Sequence, residues 1–129
     1  MFINTANFFF ISTNVLFLLL LNHMSNGYVF TGKKALVTGS SGGIGAEIAK
    51  ELAKKGCRVM IHYNSRYEGA KATQTSILEN DNICDGVIQC DYRDPSNVPK
   101  LMDIIDQEWD GEIDILINNA GLITKLAAE

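Results

Sequence analysis

Lys34-Ala35-Leu36-Val37-Thr38-Gly39-Ser40-Ser41-Gly42-Gly43-Ile44-Gly45 is the stretch from which the fold is read. Its first five residues make a short apolar run ending at glycine, as a strand buried on both faces of a parallel sheet does. A glycine-rich turn follows and opens at once into an amphipathic helix. Ile44, Ile48 and Leu52 fall at i, i+4 and i+8 with Ala49 and Ala53 beside them, while Glu47, Lys50, Glu51, Lys54 and Lys55 take the other side. Glu51 precedes Lys55 at the favourable i, i+4 spacing. Gly56 stands where a left-handed C-terminal cap belongs, and Arg58–Tyr63 reads as a second strand. That is a complete βαβ unit with an expected right-handed crossover.

Outward from this unit the alternation continues. A helix from about Tyr67 to Glu79 precedes a third strand from Gly86 to Cys90. Asp94-Pro95 reads as an N-cap with proline at the first helical position. Pro99 would sit awkwardly in the first turns of that helix, so Asn97 offers a later start. Val98, Leu101, Ile105 and Trp109 form its apolar stripe, and Gly111 ends it. A fourth strand, residues 113–117, runs into Asn118-Asn119-Ala120-Gly121. The pattern predicts an α/β protein: the N-terminal half of a doubly wound parallel-sheet Rossmann fold, strand order 3-2-1-4, with the glycine turn at the carboxyl edge of the first strand.

Composition bounds the function. The 129 residues, 47% hydrophobic, suffice for one compact domain. A net charge of −4 argues against nucleic acid as a partner, because phosphate backbones select basic surfaces. Cys57, Cys84 and Cys90 form neither a metal-type pair nor an even disulfide set, and they read as buried reduced thiols. That favours a reducing compartment, hence a cytoplasmic protein.

No charged residue precedes Lys33. Residues 1–24 read as an apolar leader, and residues 32–129 as the nucleotide-binding domain. The leader has three readings. As a signal peptide it has an apolar core and the small-x-small site Ser25-Asn26-Gly27, but no basic residue ahead of the core. As a membrane anchor it is weakened by Asn4, Thr5, Asn7 and the Ser12-Thr13-Asn14 break. As an extension outside the working protein it would give way to a chain starting at Met24. Membrane contact is expected only through these residues, which should pack poorly against a domain whose helices already cover it.

A glycine-rich turn between a buried strand and a helix lets backbone approach a pyrophosphate and aims helix N–H groups at it. Here Thr38-Gly39-Ser40-Ser41-Gly42-Gly43-Ile44-Gly45 resembles the Thr-Gly-x-x-x-Gly-Ile-Gly turn of the short-chain dehydrogenases/reductases. Asp91, after the third strand, falls on that family's adenine-contacting aspartate, with Tyr92 next to it. Asn118-Asn119-Ala120-Gly121 is similar to its Asn-Asn-Ala-Gly signature. The resemblance runs from Gly32 to the end of the chain, and Val59–Ser65 looks like the 3-oxoacyl-carrier-protein-reductase-like branch.

The resemblance implies a dinucleotide site in which Gly39 permits the turn, Gly43 close approach to pyrophosphate and Gly45 helix–strand packing. Ser40 and Ser41 would add hydroxyl hydrogen bonds. Asn119, Ala120 and Gly121 would shape the backbone beside the ribose, and Asn118 would tie neighbouring strands. Where an NAD enzyme places a carboxylate, at the end of the second strand, this chain has Tyr63-Asn64-Ser65-Arg66. Asn64 and Arg66 could meet a 2′-phosphate, so NADP is favoured over NAD, although Gly42 stands where many NADP-binding relatives carry a basic residue.

The family's chemistry uses a serine and a Tyr-x-x-x-Lys pair. The one such string, Tyr67-Glu68-Gly69-Ala70-Lys71, precedes Asn-Asn-Ala-Gly instead of following it and reads as a coincidence. No catalytic or metal-ligating residue is expected here, and His62 reads as an ordinary strand residue. Two functions are weighed: a truncated oxidoreductase acting on a small carbonyl or alcohol, homo-oligomeric when complete, or a non-catalytic nucleotide-binding or interaction module.

Overall fold

The computed structural model describes the backbone of Phe9–Ser12 and residues 30–121 in full. Phe9–Ser12 forms β1 and Lys34–Val37 forms β2. Helix α1 (Gly43–Lys54) leads to β3 (Arg58–Tyr63), α2 (Tyr67–Leu78) to β4 (Ile83–Gln89), and α3 (Val98–Trp109) to β5 (Ile115–Asn118). All pairings are parallel, and the sheet order is β1-β5-β2-β3-β4. The four strands expected from the sequence therefore stand in the order 3-2-1-4.

Alternation along the central strands distributes the core over both faces. Ala35, Val37, Val59 and Ile61 pack with Ile48, Leu52, Ala70 and Ile77 of α1 and α2. Leu36 and Met60 point the other way, onto Leu101, Ile105 and Trp109 of α3. A strand with apolar residues at every position needs a layer on each side, and the helices supply both. Beneath α3, Asp85 of β4 accepts from Trp109 Nε1 at 2.6 Å and from Arg58 Nε at 2.8 Å, which satisfies the buried indole.

Several local expectations change. Ile44 is 45% exposed: it sits at the open N-terminal end of α1, before the helix reaches the sheet, and only Ile48 and Leu52 of that stripe are buried. Glu51 pairs with Lys54 and Glu47 with Lys50, both at i, i+3. Asp94 caps a 3₁₀ turn, Pro95–Asn97, through its Oδ1 and the Ser96 amide. The helix proper then starts at Val98, so Pro99 falls in its first turn, where no N–H is needed. Val98 is consequently exposed. At the far end Gly111 is left-handed, as its place after the helix suggests, and Asp110 before it is left-handed too.

The largest departure is β1. It runs parallel to β5 with Phe10 opposite Leu116 and Ser12 opposite Asn118. Poor packing is the expectation for residues 1–24, and these four depart from it. An edge strand presents unpaired N–H and C=O groups, and an apolar, β-prone segment of the same chain satisfies them. The signal, anchor and Met24 readings concern residues that lie outside the described ones. Among the described residues no helix is long and apolar enough to cross a membrane.

Candidate functional site

The carboxyl ends of β2, β3, β4 and β5 open onto one cleft of about 570 Å³. Helix α1 begins at its rim. Gly42, at the N-cap, offers no side-chain acceptor, and the first turn carries no acidic residue. The leading amides of α1 are thus left for an anion, with the positive end of the helix dipole behind them. Gly43 has φ +56, and a Cβ there would meet nothing within 4 Å, so the turn is open at this point. Gly45 is the opposite case: a Cβ would overlap the Gly39 carbonyl and Asn119 Nδ2. Only glycine allows α1 to close on the turn.

The floor of the turn is a hydrogen-bonded frame. Thr38 Oγ1 donates to the Ile117 carbonyl at 3.2 Å and accepts from the amides of Asn119 and Ala120, both at 3.0 Å. Asn119 Nδ2 donates to the carbonyls of Thr38 and Gly39 at 3.1 and 3.0 Å. Ser40 is fully buried; its hydroxyl donates to the Val37 carbonyl at 2.7 Å and accepts from the His62 amide at 3.1 Å. His62, also buried, accepts the Gly39 amide at Nδ1 and donates from Nε2 to the Cys90 carbonyl, both at 2.9 Å. Burial lowers the imidazole pKa below its ordinary range.

Charge enters at the rim. The Arg66 guanidinium lies over Gly42, Nη1 standing 3.3 Å from where a Cβ on that glycine would be. Among the described residues no carboxylate pairs with it. Across the cleft Asp91 is bound by Arg93 through its amide and its guanidinium, and these hydrogen bonds hold the carboxyl down to about 2. Tyr92 stacks on His62, ring centroids 4.7 Å apart.

A family model for short chain dehydrogenases matches residues 33–129. The chain belongs to the short-chain dehydrogenase/reductase family. It is 39% identical over 97 residues to a short-chain type dehydrogenase/reductase of Picea abies, covering 70% of this chain and 35% of that protein. It is 40% identical over 101 residues to versicolorin reductase stcU of Emericella nidulans, covering 78% and 37%. A short chain dehydrogenase from Burkholderia cenocepacia, solved in complex with NADP, superposes with a TM-score of 0.67 at 42% identity, covering 74% of this chain and 38% of that one. The chain thus spans little more than a third of the length of the curated relatives it matches.

Among the short-chain dehydrogenase/reductase motifs, the cleft brings together Gly39, Ser41, Asn64, Arg66, Asp91, Tyr92, Asn119, Ala120 and Gly121. Ser40 does not join them: its hydroxyl is turned inward and engaged, and only Ser41 reaches the cleft wall. Asn119 ties strands as well: its side chain crosses from the end of β5 to the glycine turn. Tyr67 packs on Tyr63 and Lys71 bonds to Gln74; neither lines the cleft.

Several site residues escaped the sequence reading, Arg93 at the cleft wall and the following two among them. Gly69, in the first turn of α2, lies against the Ser41 carbonyl so closely that a Cβ would overlap it. Its signal was a lone glycine inside a helical pattern. His62 holds the turn from below. Its signal was an imidazole in an otherwise apolar buried strand, where two polar ring atoms must each find a partner.

Proposed function

We propose that residues 32–129 are the cofactor-binding portion of an oxidoreductase that moves hydride between NADP and a small carbonyl or alcohol. The observation that carries the cofactor choice is Arg66. Its guanidinium projects over the glycine turn from the loop after β3 and has no acidic partner among the described residues, and no carboxylate ends that strand to repel a 2′-phosphate. The guanidinium takes the space over Gly42 that a basic turn residue would fill. The NADP complex of the Burkholderia cenocepacia protein, and the reductase names among the relatives, support the same reading. NAD remains compatible with the frame, which is neutral everywhere except at Arg66 and the Asp91–Arg93 pair.

The remaining roles are assigned residue by residue. The free amides at the start of α1, with Gly43 and Ile44, would hold the pyrophosphate. Asn64 and Arg66 would take the 2′-phosphate. Asp91 and Tyr92 would border the adenine, the Asp91 carboxylate sharing itself between Arg93 and the base. Asn119, Ala120 and Gly121 would stand beside the ribose, shaped by the Thr38 bonds. A bound nicotinamide would give or take the hydride, and the proton would need a tyrosine–lysine pair that is not found in the cleft among the described residues. The 129-residue chain is therefore expected to bind nucleotide without turnover. Three buried free thiols favour a reducing compartment, hence a cytoplasmic site, and the complete protein is expected to be a homo-oligomer.

Titration of the purified chain with NADPH and NADH, followed by cofactor fluorescence, tests the reading. Tighter binding of NADPH is expected, and binding of neither would overturn it. NADPH consumption with ketones and 3-oxoacyl thioesters, run beside a Tyr67→Phe variant, tests the absence of turnover. Turnover lost in that variant would make Tyr67 catalytic.

A further inference from the structure

His62 is bonded by two groups that can each play only one part. The Cys90 carbonyl can only accept, so Nε2 carries the proton; the Gly39 amide can only donate, so Nδ1 is bare. The backbone of His62 adds two more ties to the turn, its amide to Ser40 Oγ and its carbonyl from the Ser40 amide at 3.0 Å. Gly39 is consequently clamped on both sides. Its N–H is taken by His62 of β3 and its C=O by Asn119 at the end of β5. Because Gly39 joins the sheet to the turn, the directions of those two bonds fix where the following backbone enters the cleft.

We propose that His62, as its neutral Nε2–H tautomer, is the positioning residue that keeps the glycine turn in its nucleotide-accepting shape, and that a proton on Nδ1 releases the turn. The proposal rests on the cofactor reading above but concerns a residue of the fold, not a ligand contact. An imidazolium would set an N–H against the Gly39 N–H and turn a bond into a repulsion. The titratable groups around the ring are the Cys90 thiol, the Tyr92 phenol stacked on it, and the Asp91–Arg93 pair, with Arg66 at the rim. The glycine turn brings no charge, so none of its residues would compensate a positive ring. Burial, which disfavours the charged ring, places the release on the acid side of the ordinary histidine range.

The test uses the full chain in two measurements. In ligand-free spectra of 15N-labelled protein, a scalar coupling between the Gly39 amide and His62 Nδ1 is expected at neutral pH. The Gly39 amide should then shift with the same midpoint as the imidazole on acidification. A Gly39 signal that ignores the titration would overturn the proposal. In binding of NADP+, the unsubstituted chain should weaken more than His62→Asn as pH falls from about 8 through the imidazole midpoint read in those spectra, by about tenfold one pH unit below it. Asparagine offers Oδ1 near the place of Nδ1 and does not titrate, so the ligand's own protonation cancels in the comparison. His62→Leu, provided its far-UV spectrum is native, should bind about tenfold more weakly at the higher pH, as loss of one buried acceptor implies. Equal pH profiles for the unsubstituted chain and His62→Asn would sink the idea. Absence of NADP+ binding by the unsubstituted chain would overturn the cofactor reading instead, and the ligand-free spectra would still decide the role of His62.

Discussion

The guanidinium of Arg66 covers Gly42, with Nη1 3.3 Å from the point a β-carbon on that glycine would occupy. A residue from the loop after β3 thus places positive charge on the glycine turn, at the uncapped start of α1. Arg66→Gln should weaken binding of adenosine 2′,5′-bisphosphate by about tenfold to hundredfold, the worth of a charge-assisted hydrogen bond. Binding of AMP, which lacks the second phosphate, should hardly change. Calorimetric titration of both ligands checks this; an equal loss for both would mean that Arg66 only shapes the turn.

Gly69 and Ser41 make the second prediction, in which two effects oppose. Glycine in a helix gives up about 1 kcal/mol relative to alanine, so Gly69→Ala should gain that on propensity. The added carbon would, however, overlap the Ser41 carbonyl, a backbone atom that cannot swing aside. Overpacking of this kind costs about 1–3 kcal/mol. The overlap should win, lowering the urea midpoint and weakening nucleotide binding together. A stabilised Gly69→Ala variant would show that α2 is free to move off the turn.

The buried thiols set a pH prediction. Burial, with Asp114 nearby, pushes Cys57 up to about 12, and burial pushes Cys84 up to about 11. Alkylation follows the thiolate, so iodoacetamide should modify neither in the native chain as pH rises from about 7 to 9, while an unfolded thiol reacts about tenfold faster per unit. Unfolded thiols lose their protons first, so the folded state should lose stability above about pH 9. Intact-mass analysis with and without urea reads the alkylation.

The pairing of β1 with β5 makes the fourth. In a parallel sheet an inner strand shares its backbone groups between two neighbours. A chain beginning at Met24 lacks β1, so some amides of Ile115–Asn118 should exchange faster than in the full chain, while those facing β2 stay protected. Light scattering should show more self-association, because the edge is bare. Identical exchange in the two chains would exclude β1 from the folded sheet.

Where sequence and structure part company, the reason is one of direction. Ile44 shares the helical period of Ile48 and Leu52, but periodicity does not say where along its axis a helix leaves the sheet, and Ile44 lies beyond that point. Asn118 and Asn119 differ by one position, and the strand's alternation decides which of them reaches the glycine turn. Ser40 and Ser41 divide in the same way, one hydroxyl turned into the frame and the other toward the cleft. The identity of the turn was plain from its spacing, whereas the destination of each side chain depended on neighbours distant in sequence.

The sequence by itself determined the alternation of strands and helices, the place of the glycine turn and the Asn-Asn-Ala-Gly segment, because these follow from local period and local backbone need. The tertiary structure alone decided what steadies that turn. His62 and Gly39 are 23 residues apart, and Asn119 and Gly39 80 apart. Their bonds exist only after β3 and β5 have flanked β2. The same holds for β1, whose apolar residues have no period that names a partner, and which finds one only where β5 leaves an edge of unpaired backbone groups.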